Sequence, residues 1–173
     1  LIVRNGKIIW TNKATTEATG LDAQTLTSTP FLEFVHPDDR QQVRDIYMRR
    51  IAGRQVPDTY QLRVIAADGS TRWFRNSGGT IDWFGEAATM NFLTDITDRK
   101  QAEQALVLER DRLSNIIEGT DAGVWEWNVQ TGETVFNSRW AEMLGYSLED
   151  LSPVSIETWK ALMHPDDLVE AEA

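Results

Sequence analysis

Two stretches of the chain carry the same succession of residues about 125 positions apart. Thr11-Asn12-Lys13-Ala14 runs to Gly20-Leu21, and Phe136-Asn137-Ser138-Arg139 runs to Gly145-Tyr146, with Asn and Gly eight residues apart in both. His36-Pro37-Asp38-Asp39 returns as His164-Pro165-Asp166-Asp167, offset by 128, and Asn5-Gly6 is answered by Thr131-Gly132. Four features in one order point to two copies of one structural unit. A period this long is a domain plus a linker rather than a stacked solenoid repeat. In 173 residues the second copy then ends soon after its His-Pro-Asp-Asp.

The first copy reads as an α+β layer. Leu1 to Arg4 and Lys7 to Thr11 are β-rich runs around Asn5-Gly6, a strong hairpin signal. Residues 12 to 35 hold short helical pieces broken by Gly20 and Pro30. A helix over 37 to 52 opens with Pro37 and two acids, carries Val43, Ile46, Tyr47 and Ile51 on one face, and ends near Gly53. Strands over 59 to 66, 71 to 82 and 88 to 96 complete the unit, with turns at Asp68-Gly69 and near Gly85. Ser77-Gly78-Gly79-Thr80 falls inside the second of these and predicts a bulge or a tight bend.

Between the copies, residues 97 to 119 contain neither Gly nor Pro before Gly119. A helix of about 22 residues is predicted, roughly 33 Å long at 1.5 Å per residue. Ala102, Leu106, Leu113 and Ile116, with Glu109 as a polar intrusion, form a stripe suited to a parallel two-helix seam.

Several functions are excluded or disfavoured by composition. The absence of Cys rules out disulfides, thiolate metal sites and a cysteinyl chromophore adduct. A net charge of −10 disfavours nucleic acid and anionic membrane as partners. Arg40, Arg44, Arg49, Arg50 and Arg54 gather at helical spacing and read as a solvated face. No apolar run reaches the roughly 20 residues needed to cross a bilayer. Leu1 lacks an initiator Met and a signal-peptide layout, so it reads as a boundary inside a longer protein, cytoplasmic here and free to be membrane-anchored elsewhere. His36-Pro37-Asp38-Asp39 could suggest a metal or acid–base site. A helix start is the better reading, with Pro37 at the first turn and both acids on the positive end of the dipole. No nucleophile-plus-base arrangement, phosphate loop or His-Glu-x-x-His is present, so no catalytic and no metal residues are assigned.

Taken as a set, four motifs resemble the PAS family with its PAC extension. They are Asn5-Gly6-Lys7-Ile8-Ile9-Trp10-Thr11-Asn12, Phe34-Val35-His36-Pro37-Asp38-Asp39-Arg40, Asp68-Gly69-Ser70-Thr71-Arg72-Trp73, and the run from Asp95-Ile96-Thr97 to Glu103. A second match starts at Gly123-Val124-Trp125-Glu126-Trp127. The resemblance implies a PAS domain over 1–97, a signalling helix over 98–119 and the first half of a second PAS domain over 120–173. It implies a five-stranded antiparallel sheet with helices on one face. That half-domain would leave Trp125, Trp127, Trp140 and Trp159 uncovered, either poorly ordered or completed by a neighbouring chain.

The resemblance also implies a sensory module of a bacterial signalling protein, with a histidine kinase or a GGDEF-type cyclase as the output domain of the same chain. A ligand would lie between sheet and helix, against Ile46, Tyr47, Leu62, Val64, Phe74, Asn76, Asn91 and Leu93, with Tyr47, Asn76 and Asn91 as the polar groups. The same positions also suit a filled core with two hydrogen-bonded amides. Trp73, one step off, should lie on the outer face, where a partner helix or second protomer could cover it. Haem is not expected, since His36 serves the helix start, and covalent flavin is excluded; non-covalent flavin stays open, as does an unknown small ligand. Asp95, Ile96 and Thr97 would relay a shift of the last strand into the helix, with Arg99 and Lys100 pairing back onto the acidic turn at Asp95 and Asp98. A homodimer through the helix and the sheet face is expected; a ligand-free dimerisation or spacer module is the alternative.

Overall fold

The computed structural model describes residues 1–164. The returning Pro165-Asp166-Asp167 lies outside the described residues. The chain divides into two units, with the division between Gln104 and Ala105.

The first unit opens with β1 (Ile2–Arg4) and β2 (Lys7–Trp10). Asn5 and Gly6 both take positive φ, 50° and 75°, the combination a two-residue turn needs to match strand twist. Next come α1 (Lys13–Thr19) and α2 (Ala23–Ser28), single-turn 3-10 segments at Phe31–Glu33 and Pro37–Asp39, and α3 (Arg40–Ile51). The meander β3 (Thr59–Ile65), β4 (Thr71–Trp83) and β5 (Glu86–Asp95) follows, and α4 (Thr97–Thr120) leaves from its end. All neighbouring strands are antiparallel, in the order β2-β1-β5-β4-β3. This is the α+β, five-stranded PAS-like sheet predicted from sequence.

The recurring Asn…Gly spacing has a local cause. Asn12 caps α1 by accepting the Thr15 N–H at 3.1 Å, and Gly20 ends it in a left-handed conformation, φ 68°. In the second unit Asn137 caps α5 (Ser138–Met143) through the Trp140 N–H at 2.9 Å, and Gly145 follows at φ 83°. A short polar N-cap acceptor and a residue free to adopt positive φ bracket the same short helix in both copies.

The core lies between the sheet and the helical layer. Val35, Val43, Leu62, Val64 and Phe74 form one buried cluster, and Val3, Ile8 and Leu26 another. Along α3 the buried positions are Val43, Ile46 and Arg50, with Tyr47 partly buried. The helix stripe therefore ends on Arg50, and Ile51 is only partly buried. Arg50, at 6% exposure, departs from the solvated face expected of the arginine group.

Ser77-Gly78-Gly79-Thr80 makes no bulge, because β4 and β5 keep an unbroken register through Gly78↔Asn91 and Gly79↔Met90. Gly78 is instead a close-approach position. A Cβ there would run into the Met90 carbonyl and press on Asn91.

The second unit contains β6 (Trp125–Trp127) paired with β7 (Thr134–Phe136), then α5 and α6 (Ile156–Leu162). Trp125 and Trp127 are exposed at 41% and 42%, while Trp140 and Trp159 are partly buried. Trp125 stacks on Trp159 at 5.6 Å between ring centroids, and Phe136 stacks on Trp140 at 4.0 Å. Two aromatic pairs of the half-domain therefore pack on each other, while Trp125 and Trp127 stay exposed.

Candidate functional site

Strand alternation sends Leu62 and Val64 of β3, Phe74 and Asn76 of β4, and Asn91 and Leu93 of β5 toward the helical layer. There they meet α3. A cavity of about 70 Å³ remains between them. One water needs on the order of 10–15 Å³, so there is room for a few waters or a compact small molecule. Of the residues expected at a ligand, Tyr47, Leu62, Val64, Asn76, Asn91 and Leu93 line this cavity. Ile46 and Phe74 are buried but are not on its wall; Phe74, at 1% exposure, is spent on the core cluster.

The lining also includes residues not expected from sequence, among them Arg50 and Tyr60. Tyr60 shares its side of β3 with Leu62, a signal that two-residue alternation could have supplied. Arg50 follows Val43, Ile46 and Tyr47 at helical spacing, so its place was readable from the 3.6-residue period. A charged residue in such a stripe is expected to face water, and Arg50 does not.

The polar groups form a chain. Asn91 Nδ2 donates to the Thr89 carbonyl at 3.2 Å and to the Thr89 hydroxyl at 3.0 Å. A backbone carbonyl can only accept, so the Asn91 amide has one orientation and turns Oδ1 to Asn76. Asn76 must then present Nδ2, which donates to Asn91 Oδ1 at 3.2 Å and to the Tyr60 hydroxyl at 2.8 Å. Asn76 Oδ1 is left with no hydrogen-bond partner although Asn76 is only 4% exposed. A buried unsatisfied acceptor costs about 1–3 kcal/mol. Burial pushes the Tyr60 phenol above its ordinary pKa, which keeps it a neutral donor. Tyr47 is less free than expected, since its hydroxyl accepts the Gly6 N–H at 3.2 Å and holds the β1–β2 turn.

The exit from the sheet is tightly wired. Ile96 N–H donates to the Trp73 carbonyl at 2.9 Å, and Trp73 N–H donates to the Thr97 hydroxyl at 3.0 Å. Thr97 Oγ1 in turn donates to Asp95 Oδ1 at 2.5 Å, and Asp95 Oδ1 accepts the Thr97 N–H at 2.8 Å. Asp95, Ile96 and Thr97 thus bind the start of α4 to β4 as well as to β5. Arg99 and Lys100 do not return to Asp95 and Asp98. They pair with Glu103, at 3.5 and 3.4 Å, because i to i+3 and i to i+4 neighbours share a helix face. Trp73 is only partly buried; the Arg63 guanidinium lies 5.6 Å and the Lys100 ammonium 5.5 Å from its ring. Two cations of the same chain flank it.

His36-Pro37-Asp38-Asp39 begins α3 but does more than meet the dipole. His36 Nδ1 accepts the Asp38 N–H at 3.4 Å. Asp39 reaches across to β3, accepting the Arg63 backbone N–H at 2.7 Å and its side chain at 2.6 and 3.1 Å. That Arg63 side chain holds the Asp39 carboxyl below the usual carboxylate range. Among the described residues no group of His, Cys, Asp or Glu could hold a metal.

The proposed seam residues Ala102, Leu106, Leu113 and Ile116 are all exposed, Leu106 at 73%. No helix among the described residues is long and apolar enough to cross a membrane.

Comparison with known proteins gives the geometry its context. The PAS fold family model matches residues 6–91 and 133–173. A hybrid signal transduction histidine kinase of Dictyostelium discoideum is 44% identical over 50 residues, covering 29% of this chain and 2% of its own. A probable diguanylate cyclase of Escherichia coli is 23% identical over 181 aligned positions, covering 99% of this chain and 16% of its own. The chain spans less than a fifth of the length of each curated relative it matches. A sensory box histidine kinase/response regulator structure from Burkholderia thailandensis aligns at 30% identity and TM-score 0.39, over 48% of this chain and 64% of that one. The family match covers most of the chain and occurs twice, in the same two segments that repeat in sequence. The chain belongs to the PAS fold family.

Proposed function

We propose that the first unit is the sensory and relay module of a multidomain signalling protein. In this reading a small ligand occupies the sheet–helix cavity, and the junction at Asp95, Ile96 and Thr97 passes its effect into α4. A histidine kinase is the favoured output and a diguanylate cyclase the next. The partial matches to one protein of each kind support that pairing.

The observation that carries the reading is the register between site and exit. Asn76, on the cavity wall, pairs with Leu93, and Phe74 two residues earlier pairs with Asp95. The two strands that carry Asn76 and Asn91 therefore meet at the hydrogen bonds that start α4. A ligand that moves β4 against β5 acts on those bonds with no intervening loop. Such a device shifts populations only through differential contacts in its two states. The module itself is regulatory, and the chemistry belongs to the output domain.

Introducing Thr97→Val into the full-length protein tests this. Ligand binding to the cavity should persist while output ceases to respond to it. Output that still follows the ligand would count against the relay.

The ligand-free spacer reading keeps one supporting observation, the four exposed apolar positions on one stripe of α4. In it, two copies pair through α4 and through the outer sheet face, where Phe92 is 62% exposed. The cavity would then stay unresponsive to any small molecule.

A further inference from the structure

Arg50 is the most deeply buried of the cationic side chains, and it lines the cavity. Among the described residues its guanidinium makes a single hydrogen bond, from Nη2 to the Pro57 carbonyl at 3.2 Å. Other partly buried arginines have carboxylates: Arg63 has Asp38 and Asp39, Arg40 has Glu33, and Arg72 has Asp68. The chain holds 27 acidic residues against 17 Lys and Arg, yet none among the described residues pairs with Arg50. A buried cation without a counter-charge is costly, and proteins either pair such groups or use them.

The neighbouring groups extend the pattern. Tyr60, whose titration feels the Arg50 charge, is hydrogen-bonded to Asn76. Asn76 keeps its unpartnered acceptor Oδ1. A cation with spare donors, a neutral phenol and an acceptor without a partner thus belong to one lining that otherwise includes apolar residues such as Val43 and Leu62. A guanidinium fork complements a carboxylate; an amide oxygen complements a hydroxyl or an N–H.

We propose that the cavity takes a small organic carboxylate that also carries a hydrogen-bond donor. The carboxylate faces Arg50 and the donor meets Asn76 Oδ1. The cavity size limits the ligand to a few heavy atoms, as in a short 2-hydroxy acid. This rests on the ligand-sensing reading above and adds the chemical class to it.

The test is calorimetric titration of the wild-type protein with three probes: glycolate, acetate and glycolamide. Glycolate carries charge and donor, acetate only the charge, glycolamide only neutral polar groups. Glycolate should bind tightest, with glycolamide weaker by about tenfold or more, the loss of one charge-assisted hydrogen bond. Acetate should fall between them. Arg50→Met, which keeps the apolar stem, should erase the preference of glycolate over glycolamide; the wild-type series stands without it if the variant does not fold. Glycolamide binding as tightly as glycolate would overturn the anionic class and leave ligand sensing standing. Failure of all three to bind would overturn the carboxylate class as well.

Discussion

The Thr97 hydroxyl accepts the backbone N–H of Trp73 at 3.0 Å, so the first residue of α4 closes a hydrogen bond that belongs to the edge of β4. Asp95 holds the same hydroxyl from the other side, at 2.5 Å. One side chain therefore joins two strands and a helix. Thr97→Val keeps the shape but removes donor and acceptor, leaving the half-buried Trp73 N–H unmatched. The expected loss is about 1–2 kcal/mol in denaturant unfolding. Thr97→Ser should retain most of it. A Val variant as stable as wild type would show that the bond contributes nothing to the junction.

Asp39 and Arg63 tie the start of α3 to edge strand β3, and their effect should depend on pH with a definite sign. The folded carboxyl lies below its unfolded value of about 3.9, so the stabilisation is complete above about pH 4. It is lost as pH falls through the depressed folded value. Asp39→Asn should cost about 1–3 kcal/mol at pH 7. Unfolding at pH 7 and near pH 2 should show the gap between variant and wild type closing in acid. A gap that stays constant would mean that the charge of Asp39 is not what matters.

Adjacent glycines in β4 should respond in opposite ways. Gly78→Ala forces a Cβ against the Met90 carbonyl and the Asn91 side chain, for an expected cost of about 1–3 kcal/mol. Gly79→Ala meets nothing within 4 Å and lies in a paired strand, so thermal unfolding should show it neutral or slightly stabilised. Equal losses in both would point to backbone strain in place of close approach.

The α4 stripe makes a further prediction about assembly. If Leu106, Leu113 and Ile116 form a seam, Leu113→Glu should shift sedimentation from dimer to monomer without altering the unfolding of the first unit. A wild-type protein that sediments as a monomer at tens of micromolar would remove the seam (the concentration follows from the weakness of a three-heptad pair).

Most of the fold could be read from short-range rules. Asn5-Gly6 announced its hairpin, the strand meander followed from its turns, and the repeated Asn and Gly proved to be the cap and stop of one small helix. The site was read less completely because its decisive groups break the rules used to find cores. Arg50 sits where the α3 stripe asks for an apolar residue, and Tyr60 lies two residues before Leu62, outside the span where β3 is expected to face the site. Phe74 shares the inward parity of the site yet fills the core, and Ile46 is buried off the cavity wall. Alternation tells which side a residue faces, whereas only packing tells whether space is left beside it. Gly78 shows the same gap: the sequence marks a position without a side chain, and the partner strand explains why.

Native mass spectrometry of freshly purified protein, with an absorption spectrum of the same sample, decides whether the cavity senses a small anion. The expected result is a colourless protein that retains a small anionic molecule or takes up glycolate to one equivalent per chain. A clean apo mass that glycolate, acetate and glycolamide all leave unchanged would contradict it, and would favour a spacer that works through helix pairing alone.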